Sequence, residues 1–344
     1  MLQLCSFCLN AYLNFKNYIN KRLISMQLNS TANLASTTDL VRKPSITIKS
    51  QEIIGTQRLY AFATVLIPLV GTIIAALMIW RVGVTTLDLE LLLFMFFLNG
   101  IGIEVGFHRY FSHYAFKTNN VIRAILAILG CMAGQGPVTY WVATHRRHHQ
   151  YSDIPGDAHS PNLHGNDILG KLRGLQHAHI GWVFDLELTN TIVFAKDLLK
   201  DPILSKVNQL YFCWLLLGLV IPGIIGGILS QTWMGAFSGF LWGGVVRLFL
   251  AQHTTYAVNS ICHFYGSRAF DTTEQSRNNA LLAVPTLGGS WHNNHHAFPN
   301  SAITGLEWWQ LDLGGWFIRT LAAVGLAWDV KTPTHQRIKI QKVN

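Results

Sequence analysis

Three short clusters hold eight of the fifteen histidines in this 344-residue chain. Imidazole is a common ligand of transition metals, so this clustering indicates metal binding. Two clusters have the pattern His-x-x-His-His, and residues three and four apart lie on one face of an α-helix. The imidazoles of each cluster could therefore converge, and two such clusters could together bind two metal ions. The clusters are His108-Arg-Tyr-Phe-Ser-His113, His145-Arg-Arg-His148-His149 and His292-Asn-Asn-His295-His296.

The first cluster differs from the other two in its spacing. His108 and His113 are five residues apart, which places them roughly 140° apart around an ideal α-helix. We therefore expect them at a helix end, where the chain can unwind. A single histidine could equally be an interfacial polar residue without a metal, but three clusters together favour metal ligands.

The ligand type does not identify the metal, because imidazole suits iron, zinc, copper and nickel. Zinc hydrolases usually have three protein ligands and one open position, and eight clustered histidines exceed one tetrahedral site. A two-metal centre is therefore favoured. Iron becomes the expected metal if the substrate is apolar, since its C–H bonds need activated oxygen rather than hydrolysis.

The composition predicts that these clusters belong to a membrane protein. Hydrophobic residues make up 50% of the chain and charged residues only 12%, which is unusual for soluble proteins. The net charge is +9, and most Lys and Arg residues lie in segments that flank apolar runs. Anionic lipid headgroups are the natural counter-charge there, so we expect a membrane and no nucleic acid as partner.

Four apolar runs are long enough to cross a bilayer, whose ~30 Å hydrocarbon core needs about 20 helical residues. Glu104 lies near the inner end of the second run and Arg247 near the inner end of the last. We expect both side chains at the membrane interface, which Arg247 would reach by extending its long side chain. The runs, which short connections pair into two hairpins, cover about 60–80, 87–107, 211–229 and 234–252.

The distribution of basic residues predicts the orientation. The loops that follow Trp80 and Leu229 contain only Arg81 as a basic residue. The basic segments all fall on the opposite side, which the positive-inside bias assigns to the cytoplasm. Those segments are 16–49, 146–206 and 331–342.

A fifth apolar stretch, 121–143, should not cross the membrane. A shared metal site needs all three histidine clusters on one face, and therefore an even number of crossings between them. The stretch is also interrupted by Gly134-Gln-Gly-Pro137, a sequence that breaks helices. We expect it to re-enter or to lie along the membrane.

Together these features predict an all-α membrane protein with four transmembrane helices in two hairpins and a cytoplasmic helical cap that holds a histidine-ligated di-iron site. Residues 1–50 form a polar and basic tail, which is disordered, and its first 25 residues are absent if translation begins at Met26. Residues 51–333 form the main domain, and 334–344 form a basic C-terminal tail. The tryptophan-rich stretch 305–329 suits an interfacial helix and a plain core helix of the cap equally well.

The histidine clusters and their flanking residues resemble the membrane fatty acid desaturases, in particular the stearoyl-CoA desaturase-like (Δ9) group with its bacterial acyl desaturases. The resemblance covers roughly residues 102–333. It implies that 51–333 is a fatty acid desaturase domain. The motifs that carry it are Gly106-Phe-His-Arg-Tyr-Phe-Ser-His113, Trp141-Val-Ala-Thr-His-Arg-Arg-His-His149, Gly156-Asp-Ala-His-Ser-Pro161, His179-Ile-Gly-Trp182, Asn259-Ser-Ile-Cys-His263 and Gly289-Ser-Trp-His-Asn-Asn-His-His296.

In that family nine histidines bind two irons, and an asparagine approaches one metal through water. The resemblance therefore adds His263 as the ninth ligand and implies Asn259, four residues earlier on the same helical face, as the asparagine. His253 matches no ligand of the family, and we interpret it as a packed histidine. The implied iron ligands are His108, His113, His145, His148, His149, His263, His292, His295 and His296, with Asn259 acting through water.

The resemblance also implies a tunnel that holds the acyl chain bent beside the metals. Gln135, Trp141, Thr255 and Tyr256 would line this tunnel. Tyr256 stands where the animal enzymes have tryptophan, so the shape of the tunnel differs there.

Several polar residues near the second cluster have open roles. Asp153 and Asp157 could orient its imidazoles through their second ring nitrogens, or could be solvated loop carboxylates. In the family, polar residues of the cap shape the site and guide the substrate rather than bind metal. By that resemblance we exclude from the ligands the cap histidines His159, His164, His177 and His179.

The implied activity is the introduction of a cis double bond, at Δ9, into an acyl chain with O2 and two electrons. The substrate would be an acyl-CoA, an acyl-carrier-protein or an acyl-lipid, and the electron donor a separate ferredoxin or cytochrome b5/reductase system. The alternative is a histidine-box hydroxylase, which inserts oxygen, although the box spacing favours a desaturase. A basic cap surface could dock an acidic carrier or an anionic headgroup through Arg146, Arg147, Lys171 and Arg173.

Overall fold

Two pairs of long helices dominate the part of the chain that the computed structural model describes, which is residues 45–48 and 51–343. The first pair consists of α1 (Gln51–Val82) and α2 (Thr86–Ser112). The start of α2 is capped reciprocally: the Thr85 side chain accepts from the backbone N–H of Asp88, and the Asp88 carboxylate accepts from the backbone N–H of Thr85. The predictions about residues 1–44 and the start at Met26 lie outside the described residues.

Shorter helices follow the first pair. The first of them, α3, has 12 residues and is about 18 Å long, too short to cross the ~30 Å hydrocarbon core. Gly134 and Gly136 have φ values of 70° and 96°, and Pro137 precedes the next helix, so the stretch 121–143 is not one continuous helix. The helices are α3 (Asn120–Cys131), α4 (Val138–Tyr151), α5 (Ile168–His179), α6 (Thr191–Phe194), α7 (Lys196–Leu199) and α8 (Pro202–Gln209).

The second pair consists of α9 (Tyr211–Ser230) and α10 (Trp233–His263). Within the described residues, α1, α2, α9 and α10 are the four helices long and apolar enough to cross a membrane. The prediction of an all-α multi-pass membrane protein with four spans is therefore confirmed. Both α2 and α10 run further than the apolar runs predicted, and their extra turns carry candidate metal ligands.

The remaining elements are small. Helices α11 (His292–Ala297), α12 (Leu313–Ala323) and α13 (His335–Gln341) follow the second pair. Two antiparallel strand pairs tie distant segments together. Strand β1 (Thr47–Ile48) pairs with β3 (Leu188–Thr189), and β2 (Lys117–Thr118) pairs with β4 (Ala327–Trp328).

Two stretches at the end of the chain differ in detail from their predictions. Of the tryptophan-rich stretch 305–329, only α12 is helical, and Trp308 lies before it with 95% of its surface exposed. The C-terminal stretch contains α13, and the following Val343 N–H donates to the carbonyl of Ala269. The basic tail is therefore attached to the domain at this point.

The second half of α2 changes from α- to π-helical hydrogen bonding between Ile101 and Ser112. This segment lies very close to α3, because a Cβ on Gly102 would lie 2.2 Å from the backbone nitrogen of Gly130. Glycine is needed where two backbones approach this closely. Phe107 and Leu126 are buried at the same contact. The segment that carries the first histidine cluster is thereby fixed against α3.

Arg247 on α10 is completely buried, so the prediction that it extends to the interface is wrong. Its guanidinium donates to the Asn99 side chain on α2 and to the carbonyl oxygens of Gly218, Met132 and Gly243. These acceptors come from both helix pairs and from the end of α3. Arg247 remains inside because the fold supplies oxygen acceptors that satisfy its donors there.

Candidate metal centre

The nine histidines predicted as ligands form two groups whose ring nitrogens lie within 4.8 Å of one another in each group. We call them the five-histidine cluster and the four-histidine cluster. The five-histidine cluster contains His108, His113, His145, His149 and His295, and the four-histidine cluster contains His148, His263, His292 and His296.

The π-helical segment of α2 explains the spacing of the first sequence cluster. In π-helical bonding each residue pairs with the residue five positions away, so residues five apart come close together. His108 lies inside this segment and His113 caps its end, with ring centroids 5.1 Å apart. The prediction placed both histidines at an unwound helix end. The helix instead changes to wider π-helical turns before it ends.

Helices α4 and α11 each contribute to both clusters. On α4, His145 and His149, four residues apart, belong to the five-histidine cluster, whereas His148 belongs to the four-histidine cluster. Helix α11 does the reverse, since His292 and His296 are four residues apart in the four-histidine cluster and His295 joins the other. The helical periodicity had suggested that the three imidazoles of each His-x-x-His-His motif converge on one site. The structure instead divides them between the two clusters.

The imidazoles point their Nε2 atoms at one another. In the five-histidine cluster the Nε2 atoms of His108 and His149 lie 2.9 Å from that of His295. In the four-histidine cluster the Nε2 of His292 lies 3.0 Å from that of His263 and 3.1 Å from that of His296. Converging lone pairs of this kind suit a cation between them.

A further observation supports the fit to a metal. The Nε2 atom of His148 is buried and has no hydrogen-bond partner, although a buried polar atom normally has one. A metal ion in the four-histidine cluster would satisfy it. The donor set therefore fits two transition-metal ions, with five and four imidazoles available to them.

Carboxylates hold the second ring nitrogens. The Nδ1 of His148 lies 2.9 Å from an Asp157 oxygen, and the Nδ1 of His263 lies 2.9 Å from an Asp153 oxygen. An Nδ1–H that donates to a carboxylate leaves Nε2 as the ligand atom. Of the two roles left open for these aspartates, the structure favours orientation, although Asp153 orients His263 rather than an imidazole of the second sequence cluster.

Glu104 performs the same task for His108 and was missed as a site residue. Its carboxylate lies 3.0 Å from the Nδ1 of His108, and the residue is buried within the protein. It also accepts two bonds from Arg109, which in turn donates to both oxygens of Asp312. A carboxylate four residues before a candidate ligand on one helix was the available signal.

Burial keeps most clustered imidazoles neutral. It lowers the pKa of His145, His149 and His295 well below the usual histidine value, and the neighbouring imidazoles lower it further. The pKa of His113, His292 and His296 is lowered for the same two reasons, and at His113 the positive charge of Arg146 lowers it further. Neutral imidazole is the form that binds metal. His148 differs: burial lowers its pKa, but the carboxylates of Asp157, Asp153 and Glu274 together raise it above the usual histidine value.

An apolar cavity lies between α2 and α10 and reaches the imidazoles of both clusters. At the metal end it is lined by His108 and His145 of one cluster and His148 and His292 of the other. Asn259 lines it as well. The rest of the wall is formed by Phe96, Asn99, Gly100, Ile103, Glu104, Trp141, Ala251, Thr254, Thr255, Val258, Pro285, Thr286 and Gly289.

The four predicted substrate residues lie at or behind this wall. Trp141 and Thr255 line the cavity, and Gln135 connects them: its amide donates to the Thr255 hydroxyl at 2.8 Å and accepts from the Trp141 indole at 3.1 Å. Tyr256 does not line the cavity. Its ring is buried and packs 6.1 Å from that of Trp182.

A second opening reaches the centre from another side and is polar. It is lined by His113, His149 and His296, none of which lines the apolar cavity. The remaining residues of this polar pocket are Arg146, Asp271, Thr272, Thr273, Glu274, Ala297, Pro299, Asn300 and Gln341.

Other polar residues of the cap are engaged in local contacts. His253 and His179 face each other with ring nitrogens 3.0 Å apart, as expected for packed histidines. His159 stacks on His148, with ring centroids 4.5 Å apart. Arg146 binds Asp197, and Arg147 donates to the carbonyl of Gly156, so neither guanidinium is free to dock a partner as we had expected.

The sequence is similar to a family of known proteins. The family model described as fatty acid desaturase matches residues 87–328. The chain is 49% identical to the hex-5-enoyl-[acyl-carrier protein] acetylenase of Moorena producens, over 87% of this chain and 94% of that protein. It is 36% identical to Delta-9 acyl-lipid desaturase 1 of Arabidopsis thaliana, over 72% and 77%. It is 37% identical to icosanoyl-CoA 5-desaturase of Limnanthes douglasii, over 68% and 62%.

Proposed function

Because this chain belongs to the fatty acid desaturase family, we propose that it introduces a cis double bond, at Δ9, into an acyl chain held beside two iron ions. One observation carries the proposal: the apolar cavity ends at imidazoles of both histidine clusters. An acyl chain in this cavity would bring a pair of internal C–H bonds to the metals. The surrounding apolar wall would exclude water.

The nine clustered histidines would hold the irons through Nε2, and Asn259 would approach one of them through water. Iron bound there would supply the activation of O2 that breaking an unactivated C–H bond requires. The protein's own residues orient the imidazoles, since Asp153, Asp157 and Glu104 hold the Nδ1 atoms of three of them. The histidines act as ligands in this proposal and not as acid or base catalysts.

Gln135 would define the bend in the acyl chain. By bonding to Trp141 on α4 and Thr255 on α10, it holds two walls of the cavity at a fixed separation. The position of the double bond would then follow from the length of chain between the cavity mouth and the metals. Tyr256, buried behind the cavity wall, would help to hold this wall in position.

The acyl carrier, the electron donor and the orientation belong to the same proposal. The names of the relatives include an acyl-carrier protein, an acyl-lipid and a CoA substrate, and the chain would use one of these three carriers. Two electrons would come from a separate donor of the ferredoxin or cytochrome b5/reductase type. The basic segments favour a metal centre on the cytoplasmic side.

Lipid analysis in a desaturase-deficient host tests the proposal. We expect the wild-type chain to produce acyl chains lighter by two hydrogens, with the double bond at Δ9. His148→Ala and His295→Ala should each abolish the product, because each removes a ligand of one cluster. His253→Ala, which changes a histidine outside both clusters, should retain it.

Product mass also separates the alternatives. A gain of one oxygen would indicate a hydroxylase, and a loss of four hydrogens would indicate an acetylenase, the activity named for one relative. Full desaturation by His148→Ala or His295→Ala, with the variant inserted in the membrane, would refute the site.

A further inference from the structure

The polar pocket gives the metal centre a second connection to the surface. Its inner wall contains His113 and His149 of the five-histidine cluster and His296 of the four-histidine cluster. Its rim contains Asp271, Thr273, Asn300 and Gln341, all exposed. The apolar cavity and this pocket share no lining residue, so the centre lies between two separate openings.

The C-terminal helix α13 forms one side of the rim. The carbonyl of Gln341, its last residue, accepts from the backbone N–H of Asp271 at 3.3 Å. The Lys342 ammonium lies 2.7 Å from a Glu307 carboxylate oxygen, and the Arg337 guanidinium lies 5.8 Å from the centroid of the Phe298 ring. These contacts hold α13 beside the pocket mouth.

Helix α13 and the residues that flank it are positively charged. Residues 330–344 contain Lys331, Arg337, Lys339 and Lys342 and no acidic residue. Arg337 and Lys339 are exposed on α13. Asp271 is the exposed carboxylate among the pocket residues, and Glu307 is already paired with Lys342. The balance of charge therefore favours an acidic partner.

We propose that an acidic one-electron carrier protein docks on α13 and that its electrons reach the metal centre through the imidazoles of the polar pocket. The inference rests on the proposed function, because only a redox enzyme needs this partner. It is an alternative to the expected docking surface of Arg146, Arg147, Lys171 and Arg173. The guanidinium groups of Arg146 and Arg147 bind within the fold, and Lys171 and Arg173 line neither opening of the metal centre.

The reaction needs two electrons, which this partner would supply in two successive one-electron transfers. A –CH2–CH2– unit, one O2, two electrons and two protons give –CH=CH– and two waters. The carrier is oxidised, O2 is reduced to water, and the two C–H bonds of the acyl chain are broken. The polar pocket is lined by polar side chains such as Thr272, Asn300 and Gln341. In this proposal the protons and product water would pass there without crossing the apolar cavity.

Binding of a plant-type [2Fe–2S] ferredoxin, an acidic carrier, tests the docking surface. The iron-loaded protein is placed in nanodiscs of zwitterionic lipid, and the Kd for oxidised ferredoxin is measured. We expect the double variant Arg337→Glu/Lys339→Glu to raise this Kd at least tenfold. The matched control Lys171→Glu/Arg173→Glu, on the exposed face of α5, changes the charge equally but lines neither opening, and should change it less than twofold.

Salt and lipid composition sharpen the result. In 0.5 M salt the difference between the two double variants should shrink, because screening weakens contacts between exposed charges. An equal effect of both variants, or none from the α13 variant, would overturn the proposal. So would an effect that appears only in nanodiscs containing anionic lipid, since α13 would then be a lipid contact.

Iron content and the melting temperature show whether each variant is folded. If the double variant does not fold, Lys339→Glu is compared with Lys171→Glu, and a several-fold rise in Kd for the first alone is expected. Ferredoxin binding and oxidation are measured apart from the acyl product. A wild-type protein that oxidises ferredoxin through this surface but forms no double bond would refute the proposed function and leave the docking site standing.

Discussion

The two histidine clusters differ in how their imidazoles are supported. The four-histidine cluster has direct carboxylate partners on His148 and His263, and Glu274 lies 3.9 Å from His263 and 3.7 Å from His296. The five-histidine cluster has one such partner, Glu104, and shares it with Arg109. One cluster therefore gains oriented, more basic ligands, whereas the other has more ligands with fewer supports.

Because of this difference, losing a carboxylate should have different consequences for metal binding and for stability in the two clusters. Asp153 and Asp157 each hold one candidate ligand and accept further bonds from nearby loop groups, so their loss should be felt mainly by the metal. Glu104 connects a ligand to the buried Arg109 and through it to Asp312. Its loss should be felt by the metal and by the fold.

The largest effect is expected from Glu104→Leu. The substitution removes the partner of His108 and one of the two carboxylates of Arg109, which is 99% buried. Breaking a buried ion pair on one side destabilises by about 3–5 kcal/mol, so we expect a large fall in melting temperature together with loss of iron. Thermal unfolding and iron content measure the two effects. Glu104→Gln, which keeps the hydrogen-bonding shape, should recover part of the stability, and equal stability of all three proteins would contradict the argument.

A smaller effect is expected from Asp157→Asn. Asp157 holds the Nδ1 of His148, and removing an outer partner of a metal-bound histidine typically weakens metal binding by about 10- to 100-fold. Titration with Fe²⁺ should show weakening of one of two sites, with the melting temperature of the metal-free protein changed little. Asp197→Asn, at a carboxylate that binds Arg146 outside the clusters, is the control. Equal weakening of both metal sites would show that the clusters are not supported independently.

The smallest effect is expected from Glu274→Gln. Its oxygens lie beyond hydrogen-bond distance of His263 and His296, so it contributes charge rather than orientation. We expect Fe²⁺ affinity at the four-histidine cluster to fall by about threefold, since a charge beyond contact distance contributes on the order of 1 kcal/mol or less. The same titration measures it, and a loss as large as that of Asp157→Asn would assign Glu274 a direct role.

Much of this architecture was predictable because it follows local rules. The four spans follow from uninterrupted apolar length, and the nine candidate ligands from histidine spacing together with family resemblance. The break at Gly134–Pro137 followed from helix-breaking residues. These signals lie in adjacent residues and do not depend on tertiary contacts.

The remaining features depend on contacts that no local pattern reveals. The π-helical widening near His108 depends on the close approach of Gly102 to α3. Glu104 and Arg247 were assigned to the interface because charged residues in apolar runs usually lie there. Only the three-dimensional structure shows that Arg247 has buried partners far away in the sequence, and that Glu104 connects through Arg109 to the distant Asp312. The division of the histidines of α4 and α11 between two clusters likewise becomes visible only when the two helices are seen packed together.

The buried position of Arg247 has a consequence for biogenesis. A charged side chain within a span makes insertion of that span less favourable when it has no partner, so α10 alone is a poor membrane anchor. Three of the four oxygens that accept from the guanidinium belong to α2, the end of α3 and α9, all of which are synthesised earlier. The last span is therefore expected to be stabilised in the bilayer by the helices already present. The helices that supply the acceptors, α2, α3 and α9, are synthesised before α10, which carries the arginine.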